Sequence, residues 1–156
     1  PLEIANFIYN LTKKIKNFPK NPKITLAGLA FKGEPITDDL RDSMALKVFE
    51  ILKKRFTKSK FFGYDPIVSS LNIKKLGLIA INSISQVFKK KNLVVILNNH
   101  NVFSKMLIEK ISKTLEKPAV IYDFWNHFDS DKLNLPEQVE YISLGNHYKS
   151  KYFRKK

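Results

Sequence analysis

The chain has 156 residues, 44% of them hydrophobic and 12% aromatic, a formal net charge of +14 and no cysteine. That length suits one domain with a real core rather than two, and the composition excludes a disordered chain. No apolar run approaches the ~18 residues of a membrane span, and without cysteine there is no disulfide, thiolate zinc site or cysteine nucleophile.

Taken in order, Ile4, Phe7, Ile8, Leu11, Ile15 and Phe18 fall at helical spacing, so residues 3–18 are expected to form a helix with one apolar stripe. No secretory signal precedes it, and the missing initiator Met suggests a fragment. "FPKNP" ends the helix, and "KITLAG" at 23–28 is a short buried strand. Ser43 is the expected N-cap of a helix over 44–56 whose Ala45, Val48, Phe49 and Leu52 share a face. "KFFGYDP" at 60–66 is a second strand closed by Pro66. "LGLIAI" follows as a strand, then a short helix opening at Ser83 and Gln86 with capping-box spacing. "NLVVIL" at 92–97 has the continuous apolar character of a strand buried on both faces. One helix is expected over 101–115 with Val102, Met106 and Ile111 inward, then a strand in "AVIYDF" and a last one in "VEYISLG". Strand and helix alternate throughout, which predicts an α/β three-layer sandwich on a mostly parallel sheet, preceded by one N-terminal helix.

The positive charge has two readings. It is either a surface for nucleic acid or an anionic membrane, or lysine spread over solvated faces. Arginine stands only at 41, 55 and 154, and phosphate-gripping or base-reading surfaces lean on arginine forks. The sequence therefore favours the second reading, with "YKSKYFRKK" as a frayed basic tail.

Chemistry concentrates between the first strand and its helix. Gly28-x-Ala30-x-x-Gly33 mimics a dinucleotide fingerprint, and Asp65 at the end of the second strand mimics its ribose-binding acid. The mimicry fails at the next step, because "EPITDDLRD" intervenes before Ser43 and no helix begins under the glycines. A long loop at the C-terminal edge of the first strand fits better, the place where open α/β sheets receive ligands. Lys32 there presents an ammonium to a phosphate or carboxylate. Arg41, among Asp38, Asp39 and Asp42, is either part of a surface salt-bridge cluster or an arginine held by acids to face a phosphate. Asp123 closes a strand as either a site residue or a structural loop acid. His100 stands near a strand end as a candidate base or ligand. His127 and His147 are isolated, and no acid set has metal-binding spacing, so no metal is expected. Nucleophile elbow, Walker loop and zinc motif are missing.

"ITLAGLAFKGEPITDDLRDSMALKVFEILKKR" followed by "FFGYDP" resembles the start of the C-terminal domain of the UDP-glucose/GDP-mannose dehydrogenase family. Later, "VVILNNHNVF" and "AVIYDFWN" are similar to that family's Thr-Glu-Trp (or Asp-His) and Asp-Gly-Arg-Asn segments, and the similarity runs over about 23–145. The resemblance implies a Rossmann-like fold, in which residues 1–20 end a central dimerisation region, 21–148 bind nucleotide sugar and 149–156 are the basic tail. It implies an NAD-dependent oxidation of a UDP-sugar or related nucleotide sugar to a uronic acid, in a cytoplasmic homodimer that involves neither nucleic acid nor membrane. Phe31 and Lys32 would line the nucleotide-sugar site, and Arg41, positioned by Asp38 or Asp39, would reach NAD phosphate. Lys32 and Arg41 stand farther apart than in the commoner family pattern. Trp125 occupies the position of the family's sugar-contacting arginine, offering either a stacking surface or a structural tryptophan. The family's NAD fingerprint domain and catalytic cysteine have no counterpart in these residues, so this piece would bind without turning over. The alternative is a stand-alone basic binding module for nucleic acid or an anionic surface.

Overall fold

The computed structural model describes residues 1–153. Six strands form one sheet, β1 (Ile24–Ala27), β2 (Phe61–Tyr64), β3 (Ile79–Ala80), β4 (Leu93–Ile96), β5 (Ala119–Asp123) and β6 (Val139–Ser143), in the order β3-β2-β1-β4-β5-β6 with every pair parallel. The order reverses direction between β1 and β4, so their C-terminal ends form the switch point at which such sheets leave a crevice. The sheet has the apolar runs expected of strands covered on both faces: every residue of β1, β4 and β5 is buried. Alternation then divides the core. Ile24, Leu26, Leu93, Val95, Val120 and Tyr122 face one layer, and Ala27, Val94, Ile96, Ala119 and Ile121 face the other.

The first layer holds α1 (Leu2–Lys14), α2 (Met44–Arg55) and α3 (Ser70–Lys75); the second holds α4 (Ile84–Phe88), α5 (Asn101–Ser104) and α6 (Ile108–Ile111). The predicted α/β sandwich is therefore present, with α1 ahead of it. Burying Ile4, Ile8 and Leu11 of α1 contributes about 1.5–3 kcal/mol for each side chain. Among the described residues no helix is long and apolar enough to cross a membrane.

Three local expectations are corrected. Ser83 opens α4 without capping it; its hydroxyl lies 3.1 Å from that of Ser85 instead of taking a backbone N–H. The helix expected over 101–115 is broken into α5, α6 and a 3-10 turn at Ser112–Thr114. Phe103 and Ile108 are both buried, yet residues five apart lie roughly 140° apart around a continuous helix. Interrupting the helix at the exposed Leu107 lets both face the sheet. Finally, α3 was not expected; six residues are too few for a periodic signal, although Ser69 caps it by accepting from the Asn72 N–H at 3.2 Å.

The segment after β6 clasps α1. The His147 ring stacks on Phe7 at 3.6 Å with 6° between the planes, and its Nε2 lies 2.8 Å from the Tyr122 hydroxyl. Tyr122 donating to Nε2 requires a neutral imidazole, and burial pushes the His147 pKa below its ordinary value. The unfolded chain then takes up a proton near pH 6.5 that the folded chain accepts only at lower pH. The stability contributed by this clasp is present above about pH 6.5 and lost as pH falls through the folded value. Thermal midpoints are expected to fall between pH 7 and 5, and His147→Phe, which keeps the stack, is expected to flatten that dependence. Identical pH profiles for the two chains would contradict this assignment.

Candidate functional site

The switch point is covered by residues 28–43, and the sequence fastens that loop at both ends and in the middle. Ser43 caps α2 through its Oγ, which accepts from the Ala45 N–H at 3.2 Å and donates back to the Leu29 carbonyl at 2.6 Å. The Phe31 N–H donates to the Asp39 carbonyl across the loop. The Gly33 and Glu34 N–H groups both donate to Asn99 Oδ1, at 2.9 and 3.0 Å, which pins the loop to the segment after β4.

The glycines explain themselves within this packing. Gly28 has φ +88°, and a Cβ there would fall 2.7 Å from the Asn98 side chain. At Gly33 a Cβ would fall 1.9 Å from the His100 backbone nitrogen. The space that a dinucleotide fingerprint reserves for pyrophosphate is here filled by the chain's own Asn98 and His100, and the Ser43 cap of α2 comes 15 positions after Gly28. These residues do not fit a dinucleotide held in that manner. Asp65, the would-be ribose acid, is equally engaged. It accepts from the Leu29 and Ala30 N–H groups through Oδ2 at 2.8 and 2.9 Å, and from those of Ile67 and Val68 through Oδ1 at 2.8 and 3.0 Å.

Arg41 projects into solvent with 89% of its side chain exposed, and one edge of its guanidinium is held by Asp39. Nε lies 3.0 Å from Oδ1 and Nη2 lies 2.8 Å from Oδ2, while the Arg41 N–H also donates to Oδ1 at 2.9 Å. The Arg41 guanidinium beside Asp39 holds that carboxyl down at about 2, so the pair stays ionised across the physiological range. Of the two acids expected to position Arg41, Asp39 does so; Asp38 is exposed. Phe31 is half exposed at the start of the loop, with the Lys32 ammonium 5.7 Å from its ring centroid.

Across the crevice, Asp123 is fully buried and closes a turn. Its oxygens accept from the Trp125 N–H at 3.0 Å, the His127 N–H at 2.6 Å and the Tyr141 hydroxyl at 2.6 Å, and Oδ1 lies 2.8 Å from His127 Nδ1. It fixes the turn and has no open face for a ligand. Trp125 is thereby thrown back over β4, where its indole N–H donates to the Leu97 carbonyl at 3.3 Å. His100 is a helix cap: its Nδ1 accepts from the Val102 N–H at 3.1 Å and the residue is buried. Among the described residues no group of acids and histidines has the arrangement to hold a metal ion.

Sequence reasoning missed Asn98 and Asn99, whose roles depend on partners 33 to 66 positions away. A cavity of about 590 Å³ lies elsewhere, along the outer edge of β6 and the end of α1.

Residues 25–130 match the UDP binding domain of the UDP-glucose/GDP-mannose dehydrogenase family. The chain belongs to that family. In the UDP-glucose/GDP-mannose dehydrogenase family, it is similar to a UDP-N-acetyl-D-mannosamine dehydrogenase of Pyrococcus horikoshii, 28% identical over 121 residues, covering 78% of this chain and 26% of that protein. A UDP-glucose 6-dehydrogenase of Rhizobium meliloti is 29% identical over 128 residues, covering 81% of this chain and 28% of the relative. The solved structure of a UDP-N-acetyl-mannosamine dehydrogenase from S. aureus superposes with a TM-score of 0.69 at 25% identity, over 96% of this chain and 31% of that one. The chain thus spans under a third of the length of these relatives.

Proposed function

We propose that this chain is the nucleotide-sugar-binding domain of a dehydrogenase that oxidises the sugar 6-alcohol of a UDP-linked sugar with NAD as hydride acceptor. The observation that carries the reading is the 28–43 loop, pinned to the segment after β4 over the β1–β4 switch point in a chain of this family. Phe31 and Lys32 contact the nucleotide sugar, the ammonium meeting a diphosphate oxygen. Arg41, held at one edge by Asp39, presents its other edge outward to cofactor phosphate carried by a different part of the enzyme. The chain has no cysteine and no fingerprint cradle, so its share of the reaction is to bind and orient substrate. A homodimer with a cytoplasmic location accords with this reading.

Titrating the chain with UDP, UDP-glucose and a DNA duplex at two ionic strengths tests it. Both uridine ligands are expected to bind, and Lys32→Ala is expected to weaken them about tenfold, the scale of one charge-assisted hydrogen bond. Arg41→Ala is expected to leave them unchanged, because its anion belongs to the cofactor. Duplex binding that collapses with salt, with no uridine binding, would replace this reading with that of a basic nucleic-acid module.

A further inference from the structure

Trp125 is the chain's single tryptophan and is 46% exposed, on the same sheet edge as the 49%-exposed Phe31. A large aromatic left in water ordinarily turns freely, but this one is held at two points. Its backbone N–H is bound by Asp123, and its indole N–H by the Leu97 carbonyl at the tip of β4. The second bond uses the only donor an indole has. Phe124 packs against the ring edge to face, with centroids 5.8 Å apart, and what remains for a ligand is the exposed part of the ring surface. A fixed aromatic face with no hydrogen bond left to give recognises by stacking, and stacking costs little here because the ring is already ordered. β1 and β4 are adjacent and in register from Ile24 with Leu93 to Ala27 with Ile96, so an indole seated on Leu97 stands beside the start of the loop that carries Phe31 and Lys32.

We infer that Trp125 is the base-stacking platform of the site: its indole face takes the planar pyrimidine of the nucleotide, while the Lys32 side meets the phosphates. The inference rests on the nucleotide-sugar reading above and adds which part of the ligand lies at this end of the crevice. It also assigns Asp123 as a positioning residue, acting through the turn that fixes Trp125.

Because Trp125 is alone, the emission of the unmodified chain reports on it directly. UDP and UDP-glucose are expected to quench that emission, with midpoints equal to those found by calorimetry, whereas glucose 1-phosphate and inorganic pyrophosphate leave it unchanged. Trp125→Phe is expected to keep UDP affinity within about twofold and Trp125→Leu to lose about tenfold, as removal of one base-stacking surface does. Calorimetric UDP binding without quenching would overturn the platform and leave the nucleotide-sugar reading standing. Quenching by glucose 1-phosphate would overturn it in favour of a sugar-facing ring. No calorimetric UDP binding at all would remove both readings.

Discussion

Replacing Asp65 with alanine is expected to lower the unfolding free energy by about 3–5 kcal/mol, the range for removing the acceptor of several buried donors. The carboxylate is almost wholly buried and receives four backbone N–H groups, two from the 28–43 loop and two from the turn after β2. No neighbouring side chain replaces it; the Asn98 amide, 3.4 Å from Oδ2, is itself a donor there. Alanine therefore leaves the Leu29, Ala30 and Val68 N–H groups buried without that acceptor, each costing about 1–3 kcal/mol before the loop relaxes toward water, while the partly exposed Ile67 N–H costs less. Asp65→Asn keeps one acceptor oxygen and is expected to recover about half of the loss, as charge-assisted bonds give way to neutral ones. Urea unfolding measures this, the midpoint falling with an unchanged slope. A loss under about 1 kcal/mol for alanine would mean that Asp65 does not organise the loop.

Why the sequence offered Asp65 as a ribose-binding mimic and not as the anchor of the loop, while the sheet was legible, follows from where each signal lies. The strands were legible because a parallel strand covered on both faces is a near-continuous apolar run, as residues 93–97 and 119–122 are. Helix α2 was legible because its cap and its apolar stripe are local: Ser43 sits one residue before Met44, and Ala45, Val48, Phe49 and Leu52 are buried as their spacing requires. The strand order was not legible, since it depends on pairings such as Ile24 with Leu93 that no local pattern encodes. The site behaves in the same way. Lys32 and Arg41 were candidates from their place in the loop and Phe31 from the resemblance alone, but the residues that shape the loop under them, Asn99, Asn98 and Asp65, act on donors far along the chain. One signal was available. Asp65 and Asp123 each close a strand and bind the N–H two residues on, in Ile67 and Trp125, the habit of aspartate at turns. That habit favours structural over ligand-binding acids at both positions, and it also accounts for Asp65 resembling a ribose-binding residue without having an oxygen to offer. The broken helix after β4 marks the opposite failure: its local periodicity was sound, and the need to bury both Phe103 and Ile108 against the sheet overrode it.

Gly33→Ala should separate the loop from the rest of the fold. The cost is one of space, not of torsion: the added Cβ would lie 1.9 Å from the His100 nitrogen, 2.3 Å from its Cα and 2.7 Å from the Asn99 carbonyl carbon. All three are backbone atoms, so no side-chain rotation relieves the overlap, and the loop has to lift from the segment after β4 by more than an ångström's worth of contact. Lifting breaks the Gly33 and Glu34 N–H bonds to Asn99 Oδ1. Both bonds lie at the rim, where water replaces the lost partner, so the stability loss is expected to be about 1–3 kcal/mol, typical of overpacking. Binding should suffer as well as stability, because Phe31 and Lys32 ride on the displaced segment. The expected result is a loss of UDP-glucose affinity of about tenfold or more, since small displacements of positioning groups act at that scale or above. Amide exchange of residues 33 and 34 should quicken while that of β1 and β4 holds. Unchanged exchange together with unchanged affinity would show that the loop is not set by its contact with the β4 segment, and the crevice would then need another architect.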